Sequence, residues 1–346
     1  MIHELPFWFE VASLTAVLVI LAADLVIVGR RPHVPSMKES ALWVAFYVGL
    51  AIAFGAVVAI VGGGAPAGEF YAGWLTEYSL SIDNLFVFVI IMSRFAVPRQ
   101  QQQRVLMVGI IIALVLRAMF ILAGAAIIER FTAIFYLFGA FLIYTAVKLV
   151  AGEDDDAEFK ENPAIRALRR VVPLSDDYDG AKIRTVVDGK RVFTPMLVVF
   201  VAIGSTDLLF AFDSIPAIFG LTKDPFIVFT TNVFALMGLR QLYFLLGGLL
   251  ERLVYLPIAL AVILGFIGVK LILEALHTNS LPFINGGHGF HWAPEIPIWL
   301  SLAVIVGSLA IATVASLAKT RRVAALAAPE GGVVQSGDDE PELDPR

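Results

Sequence analysis

The sequence predicts an all-α polytopic membrane protein of about nine transmembrane helices, built around an inverted repeat of three helices. Three observations predict this class. Of the 346 residues, 59% are apolar and 16% charged, with mean hydropathy +0.84; a soluble domain is near half apolar and a quarter charged. The apolar residues come in runs of about 20, the length that crosses a ~30 Å hydrocarbon core. A set of charged residues in the third to fifth runs returns, in the same order, in the sixth to eighth.

The nine runs are 7–28, 41–62, 71–93, 105–127, 132–150, 195–219, 226–250, 255–275 and 296–318. The first has no basic residues before it and is followed by Arg30 and Arg31. It reads as a retained helix, not a cleaved signal. Lys and Arg crowd alternate loops: Arg30, Arg31 and Lys38; Arg94, Arg99 and Arg104; eight residues from Lys160 to Arg191; then Lys319, Arg321 and Arg322. The positive-inside rule puts these loops in the cytoplasm, the N-terminus outside and the C-terminus inside.

These assignments divide the chain. Residues 1–70 carry two N-terminal helices and 71–150 a first three-helix unit. Residues 151–194 form a cytoplasmic polar linker with room for one short helix. Residues 195–275 form the second, inverted unit, 276–295 an external loop and 296–318 the last helix. The tail 319–346, rich in Gly, Pro, Asp and Glu from Pro329, is expected to be disordered.

Composition excludes several functions. The net charge of −5 comes largely from the clusters Glu153–Asp156, Asp176–Asp179 and Asp338–Glu342, which read as solvated runs. There is no basic patch of nucleic-acid type. With no Cys, disulfides, iron–sulfur clusters and thiolate sites for zinc or Cu(I) are ruled out. The seven Met are scattered and make no copper path.

The repeat is specific. Glu77 and Asp83 match Asp207 and Asp213; Arg117 matches Arg240, Gly124 matches Gly247, Glu129–Arg130 matches Glu251–Arg252 and Lys148 matches Lys270. Each unit has three spans, so the second copy enters from the opposite side. Many secondary transporters are built this way, with the binding site at the repeat interface near the midplane. A carboxylate near mid-bilayer costs roughly 2.5–3.5 kcal/mol on insertion scales. Four of them, matched in two copies, point to a bound cation.

Acids six residues apart on one helix are ~9 Å apart along the axis and ~120° apart around it, so one helix does not easily hold one ion with both. With the third and sixth spans antiparallel, Glu77 is expected level with Asp213, and Asp83 level with Asp207. Pro216 removes the hydrogen bond to the Phe212 carbonyl and offers that oxygen as a further ligand. Asn84 and Ser214, each directly after a matched Asp, complete an oxygen shell; Ser205 and Thr206 serve equally as ligands or as helix-backbone bonders. Two arginines cannot neutralise four carboxylates plus Asp24. Arg117 and Arg240 read as charge partners or gates rather than ligands. Asp24 either lines the access path or anchors its helix at the interface. Lys148 and Lys270 are expected to snorkel. His288 and His291 lie three apart, but the surrounding glycines favour a surface loop over a helical metal pair. Gly62–Gly64 reads as a loop.

Carboxylates, an amide, hydroxyls and carbonyls make an all-oxygen shell, which suits Mn²⁺, Mg²⁺ or Ca²⁺ rather than copper or zinc. Protons are a second cargo, since buried carboxylates carry them well. No organic cofactor is implied.

The stretches LTEYSLSIDNLFVFVIIMSRFAVP, RVLMVGIIIALVLRAMFILAGAAIIERF, TDLLFAFDSIPAIFGLTKDPFIVFTTNVFALMGLRQLYFLL and GVKLIL resemble the TerC family of bacterial integral membrane proteins. They cover most of 70–275. The resemblance implies a manganese exporter of the bacterial inner membrane, related to cation exporters with inverted three-helix repeats and linked to supplying metal to secreted enzymes. It places Asp83, Asn84, Asp207, Asp213 and Ser214 on the ion-carrying motif, with Glu77 close by. Many relatives have Glu where this chain has Gly204, which implies a thinner site here.

The reading is therefore Mn²⁺ export by a protein that is not an enzyme and whose partners are the bilayer and its cation. One rival is a scaffold that hands metal to secreted metalloproteins without moving it across; another is a Ca²⁺ or proton-coupled transporter. An intramembrane aspartyl protease is disfavoured: the one Tyr-Asp pair, Tyr178-Asp179, lies in a polar loop, and Asp207 follows Gly-Ser-Thr.

Overall fold

A computed structural model describes residues 5–30, 35–131, 133–151, 165–246 except 167, 169, 171, 176 and 188, and then 254–279, 281, 284–290 and 292–327. Within these, side chains at 25, 27–30, 83, 86, 129, 213, 246 and 321–327 lie outside the description.

The described residues hold nine helical segments long and apolar enough to span a membrane, at the places the hydropathy predicts. They are α1 (Phe7–Arg30), α2 (Met37–Gly62), α3 (Gly64–Arg94), α4 (Arg99–Arg130), α5 (Ile134–Ala151), α6 (Pro195–Phe219), the pair α7 (Pro225–Leu236) and α8 (Leu239–Leu246), α9 (Leu256–His277) and α10 (Ile298–Ala327). Their starts follow local chemistry. Ser36 caps α2 by accepting from the Glu39 backbone N–H, and Asp224 caps α7 by accepting from that of Phe226. Pro195, Pro225 and Pro257 occupy first-turn positions, where no N–H is needed.

The outer helices are greasy on the outside. Phe7, Leu42, Ile60, Met119, Leu122, Val150, Trp299 and Ile311 are all exposed, as a lipid-facing surface requires. Burial is uneven: 17% of the α1 span and 17% of the α10 span, against 94% of the α7–α8 span. The seventh span is therefore the centre of the bundle. It packs on α3 and α4, while α6 packs on those same two helices from the other repeat.

That central span is broken, which hydropathy does not predict. Met237 is extended and Gly238 has φ +80°, so the helix stops at Leu236 and restarts at Leu239. Only glycine takes this backbone conformation without strain. The Tyr47 ring covers Gly238, with its Cδ2 3.0 Å from where a Cβ would stand.

The closest packing joins α5 and α9. A Cβ on Gly139 would lie 2.7 Å from the Gly268 carbonyl oxygen, and one on Gly268 would lie 2.9 Å from that of Gly139. Small residues let two membrane helices touch backbone to backbone. Gly139→Val is accordingly expected to push the pair apart and cost about 1–3 kcal/mol as overpacking. A lower melting temperature of the detergent-purified variant checks this; an unchanged one would mean the seam separates freely.

Residues 151–194 differ from the linker expected. Their described part forms an antiparallel hairpin, β1 (Arg184–Val187) and β2 (Lys190–Phe193), turning at Gly189 with φ +77°. Ile165, Leu174 and Tyr178 pack against the α3 and α4 ends, and the Tyr178 hydroxyl donates to the Phe95 carbonyl at 2.6 Å. Burial raises the Tyr178 pKa. Asp179, expected as part of a solvated run, accepts from Lys182 Nζ at 3.0 Å and Thr185 Oγ1 at 3.0 Å, and these bonds hold its carboxyl below the ordinary range. This described part is a folded cap on one end of the bundle. The tail from 328 lies outside the described residues.

Candidate functional site

At the heart of the bundle a single guanidinium gathers three helices. Arg117, on α4, is 1% exposed. Its Nη1 donates to Glu77 Oε2 on α3 and, at 2.6 Å, to Asn232 Oδ1 on α7. Its Nη2 faces Asp207 Oδ1 on α6 at 3.9 Å, an ion pair too long for a hydrogen bond. Glu77 is fully buried and Asp207 is 3% exposed. Asn232 is itself fixed, its Nδ2 donating to the Val228 carbonyl at 3.2 Å.

This arrangement revises the expected pairing. Glu77 and Asp207 meet across Arg117, whereas the antiparallel argument set Glu77 level with Asp213 and Asp207 level with Asp83. The side chains of Asp83 and Asp213 lie outside the described residues; their backbones are on α3 and α6. A spacing of seven also gathers described polar residues on one face. Glu77, Ser81 and Asn84 lie at i, i+4 and i+7 and so share one face of α3. Ser214 lies seven beyond Asp207, two turns along the same face of α6.

Beside the guanidinium is a small cavity lined by Ser81, Asn84, Gly109, Arg117, Asp207, Leu236 and Leu239, among others. Its free volume of about 10 Å³ suits one water or one bare ion. Leu236 and Leu239 flank the break at Gly238, so the interrupted helix opens onto the carboxylate. Asp207 Oδ2, Glu77 Oε1, Ser81 Oγ and Ser214 Oγ are buried oxygens without a hydrogen-bond partner. Buried oxygens are normally paired. Two of them, Asp207 Oδ2 and Ser81 Oγ, belong to residues that line the cavity, and oxygens of this kind fit a hard cation such as Mn²⁺, Mg²⁺ or Ca²⁺. Among the described residues no three His, Asp or Glu cluster as a ready metal site.

The other expected residues divide. Asn84 is 7% exposed and lines the cavity. Ser205 Oγ donates to the Val201 carbonyl at 2.6 Å, which is helix back-bonding. Thr206 is half-buried and, like Ser205 and Ser214, is not part of the described cavity wall. α6 runs on through Pro216 to Phe219, so the Phe212 carbonyl has no N–H at its i+4 position; the Phe212 ring is exposed and meets Phe120 edge-on. Gly204 sits against α4, where a Cβ would be 3.4 Å from Ile112 Cγ2.

Arg240 does not mirror Arg117. Its Nη2 donates to Asp24 Oδ1 at 3.1 Å, tying α8 to α1 beside Tyr47 and the break. Asp24 is thus a charge partner of the interrupted helix. Lys270 lines a polar pocket with Glu69, Thr222, Lys223, Glu274 and Glu295. There Thr222 Oγ1 donates to Glu69 Oε2 at 2.5 Å and Lys223 Nζ to Glu274 Oε1 at 2.7 Å. His288 is on an exposed loop after a short 3₁₀ turn, Asn285–Gly287, and His291 is outside the described residues. The sequence reading missed Asn232, Ser81 and Glu69. The first two had a signal, a polar side chain on the face of a buried apolar helix.

Comparison with known proteins gives one family: the integral membrane protein TerC family matches over residues 62–324. An uncharacterized membrane protein of Mycobacterium tuberculosis is 50% identical over 315 residues, 89% of this chain and 79% of that protein. The thylakoid membrane protein TERC of Arabidopsis thaliana chloroplasts is 42% identical over 280 residues, 81% of this chain and 69% of that one. A protein of Escherichia coli K12 that carries the name membrane-bound redox modulator Alx is 38% identical over 302 residues, 85% of this chain and 89% of that one. No solved structure matches.

Proposed function

The chain belongs to the TerC family of integral membrane proteins, and from that premise we propose that it exports divalent cations, Mn²⁺ first, across the bacterial inner membrane. The observation that carries the reading is two buried oxygens without a hydrogen-bond partner, Asp207 Oδ2 and Ser81 Oγ, on residues that line a cavity at the break of the central helix. Interrupted helices at mid-membrane are where transporters bind ions. Glu77, Asp207 and Arg117 sum to one net negative charge, which a cation offsets. Asn84 and Ser81 supply neutral oxygens beside Asp207, while Asp83, Asp213 and Ser214, six or more residues along their helices from Glu77 and Asp207, are ligands further along the path in this proposal.

The two units act as inverted repeats in this mechanism. α3 packs on α7 and, exchanged, α4 packs on α6, while α5 and α9 pack on each other. A pseudo-two-fold relation requires that exchange of contacts. Rocking one unit against the other exposes the carboxylates to each side in turn. In this proposal the 151–194 segment is cytoplasmic and the N-terminus external. The name of the Escherichia coli relative refers to redox; the 346 residues here contain no Cys, so no thiol of this chain serves such a step.

Flux of Mn²⁺ from liposomes containing the purified protein, with Ca²⁺ and Mg²⁺ in parallel, tests the proposal. Export of Mn²⁺ faster than from protein-free liposomes is expected. Folded, monodisperse protein that binds Mn²⁺ without moving it would instead favour the scaffold that delivers metal to secreted proteins.

A further inference from the structure

We propose that Arg117 is a tethered cation that trades places with the cargo at Asp207, so that the carrier reorients without a load and net export becomes possible. The inference rests on the transport reading above and names the device that regulates the same site.

The geometry is unequal in a telling way. Nη1 is anchored twice, by Glu77 and by Asn232, whereas Nη2 stands 3.9 Å from Asp207 and Nε has no acceptor. One side of the guanidinium is held firmly; the other leans towards Asp207 without closing on it. Arg117, Asp207, Asn84 and Ser81 all line one cavity with room for about one small ion. A divalent ion bound at Asp207 would stand next to the guanidinium, and at such range like charges repel strongly inside a protein. Loading therefore drives Arg117 back onto Glu77 and Asn232, the acceptors that already hold it. Unloading lets it swing to Asp207. Asn232 is the positioning residue that makes the withdrawn pose available.

The consequence concerns the return stroke. A buried carboxylate with no cation beside it carries a heavy penalty. A carrier lacking Arg117 has its Asp207 accompanied only when loaded. Such a carrier crosses loaded in both directions but does not return empty. It performs one-for-one exchange of Mn²⁺ and fails at net export.

Two assays on the full chain in liposomes separate these behaviours: net Mn²⁺ export into Mn²⁺-free buffer, and exchange of radiolabelled Mn²⁺ with Mn²⁺ on both sides. The unsubstituted protein is expected to do both. Arg117→Gln is expected to keep exchange within about threefold and to lose net export by at least about tenfold, the scale set by one unaccompanied charge in the membrane interior. Should Arg117→Gln fail to give monodisperse protein, the double variant Arg117→Gln with Glu77→Gln removes the stranded buried charge and carries the same expectation. Arg117→Lys, which restores the positive charge, is expected to restore net export. Loss of both fluxes to the same extent in a folded variant, or retention of both, overturns the inference. No flux of either kind from the unsubstituted protein sinks the transport reading itself, whereas exchange without net export in the unsubstituted protein keeps transport but overturns this inference and, with it, net export.

Discussion

Arg117→Ala is expected to destabilise the protein by about 3–5 kcal/mol, the usual cost of removing one partner from a buried ion pair. The reason lies in what is left behind. Glu77 is fully buried, and Asn232 Oδ1 has Arg117 as its hydrogen-bond donor. Losing the guanidinium strands one carboxylate and weakens the field around a second. Replacing both members of the main pair, Arg117→Gln with Glu77→Gln, is expected to recover most of that stability, since two neutral amides of similar size leave no bare charge. Unfolding of the two variants and the unsubstituted protein in one detergent compares them directly. A single variant as stable as the double one would mean that the cluster is not held by charge at all.

Asp207→Asn is expected to lower Mn²⁺ export by at least about 100-fold, the upper end of what losing even an outer-shell metal partner costs. The amide keeps the shape of the side chain and the packing of α6, so the fold is expected to persist. What disappears is the negative charge facing the cavity, carried by a carboxylate whose Oδ2 is unpaired and whose other oxygen is only loosely met by Arg117. Asp207→Glu keeps the charge and is expected to retain part of the activity. Export by Asp207→Asn above about one tenth of the unsubstituted rate would take this residue out of the ion path.

The membrane spans were legible because the bilayer imposes length: about 20 apolar residues in a row leave few alternatives. The charged residues at the centre were legible for a related reason, since few side chains other than functional ones survive there. Their partners were not. An antiparallel pair of helices can slide and rotate, and hydropathy is blind to both. Glu77 meeting Asp207 through Arg117 depends on the position of α4, which the two-helix argument left out. The break at Gly238 was invisible because one glycine in a membrane helix is ordinary. The hairpin had a local signal, Asp188-Gly189 between β-formers, a pair favoured in tight turns; the abundance of charge around it concealed that. The pocket that Lys270 shares with Glu69 and Glu274 was not legible either, since sequence position alone does not reveal which helices meet there.

The most enclosed span is also the least greasy. The α7–α8 segment has mean hydropathy 1.2, the lowest of the nine, and carries Asn232, Arg240 and Gln241. During synthesis, insertion machinery weighs each segment against lipid one at a time, and polar residues mid-segment tip that balance towards rejection. This segment is expected to enter only once α3 and α4 are present to receive it. Biogenesis of the protein is thus expected to depend on the order in which its halves assemble, since the Arg117 cluster closes only when the seventh span reaches α3 and α4.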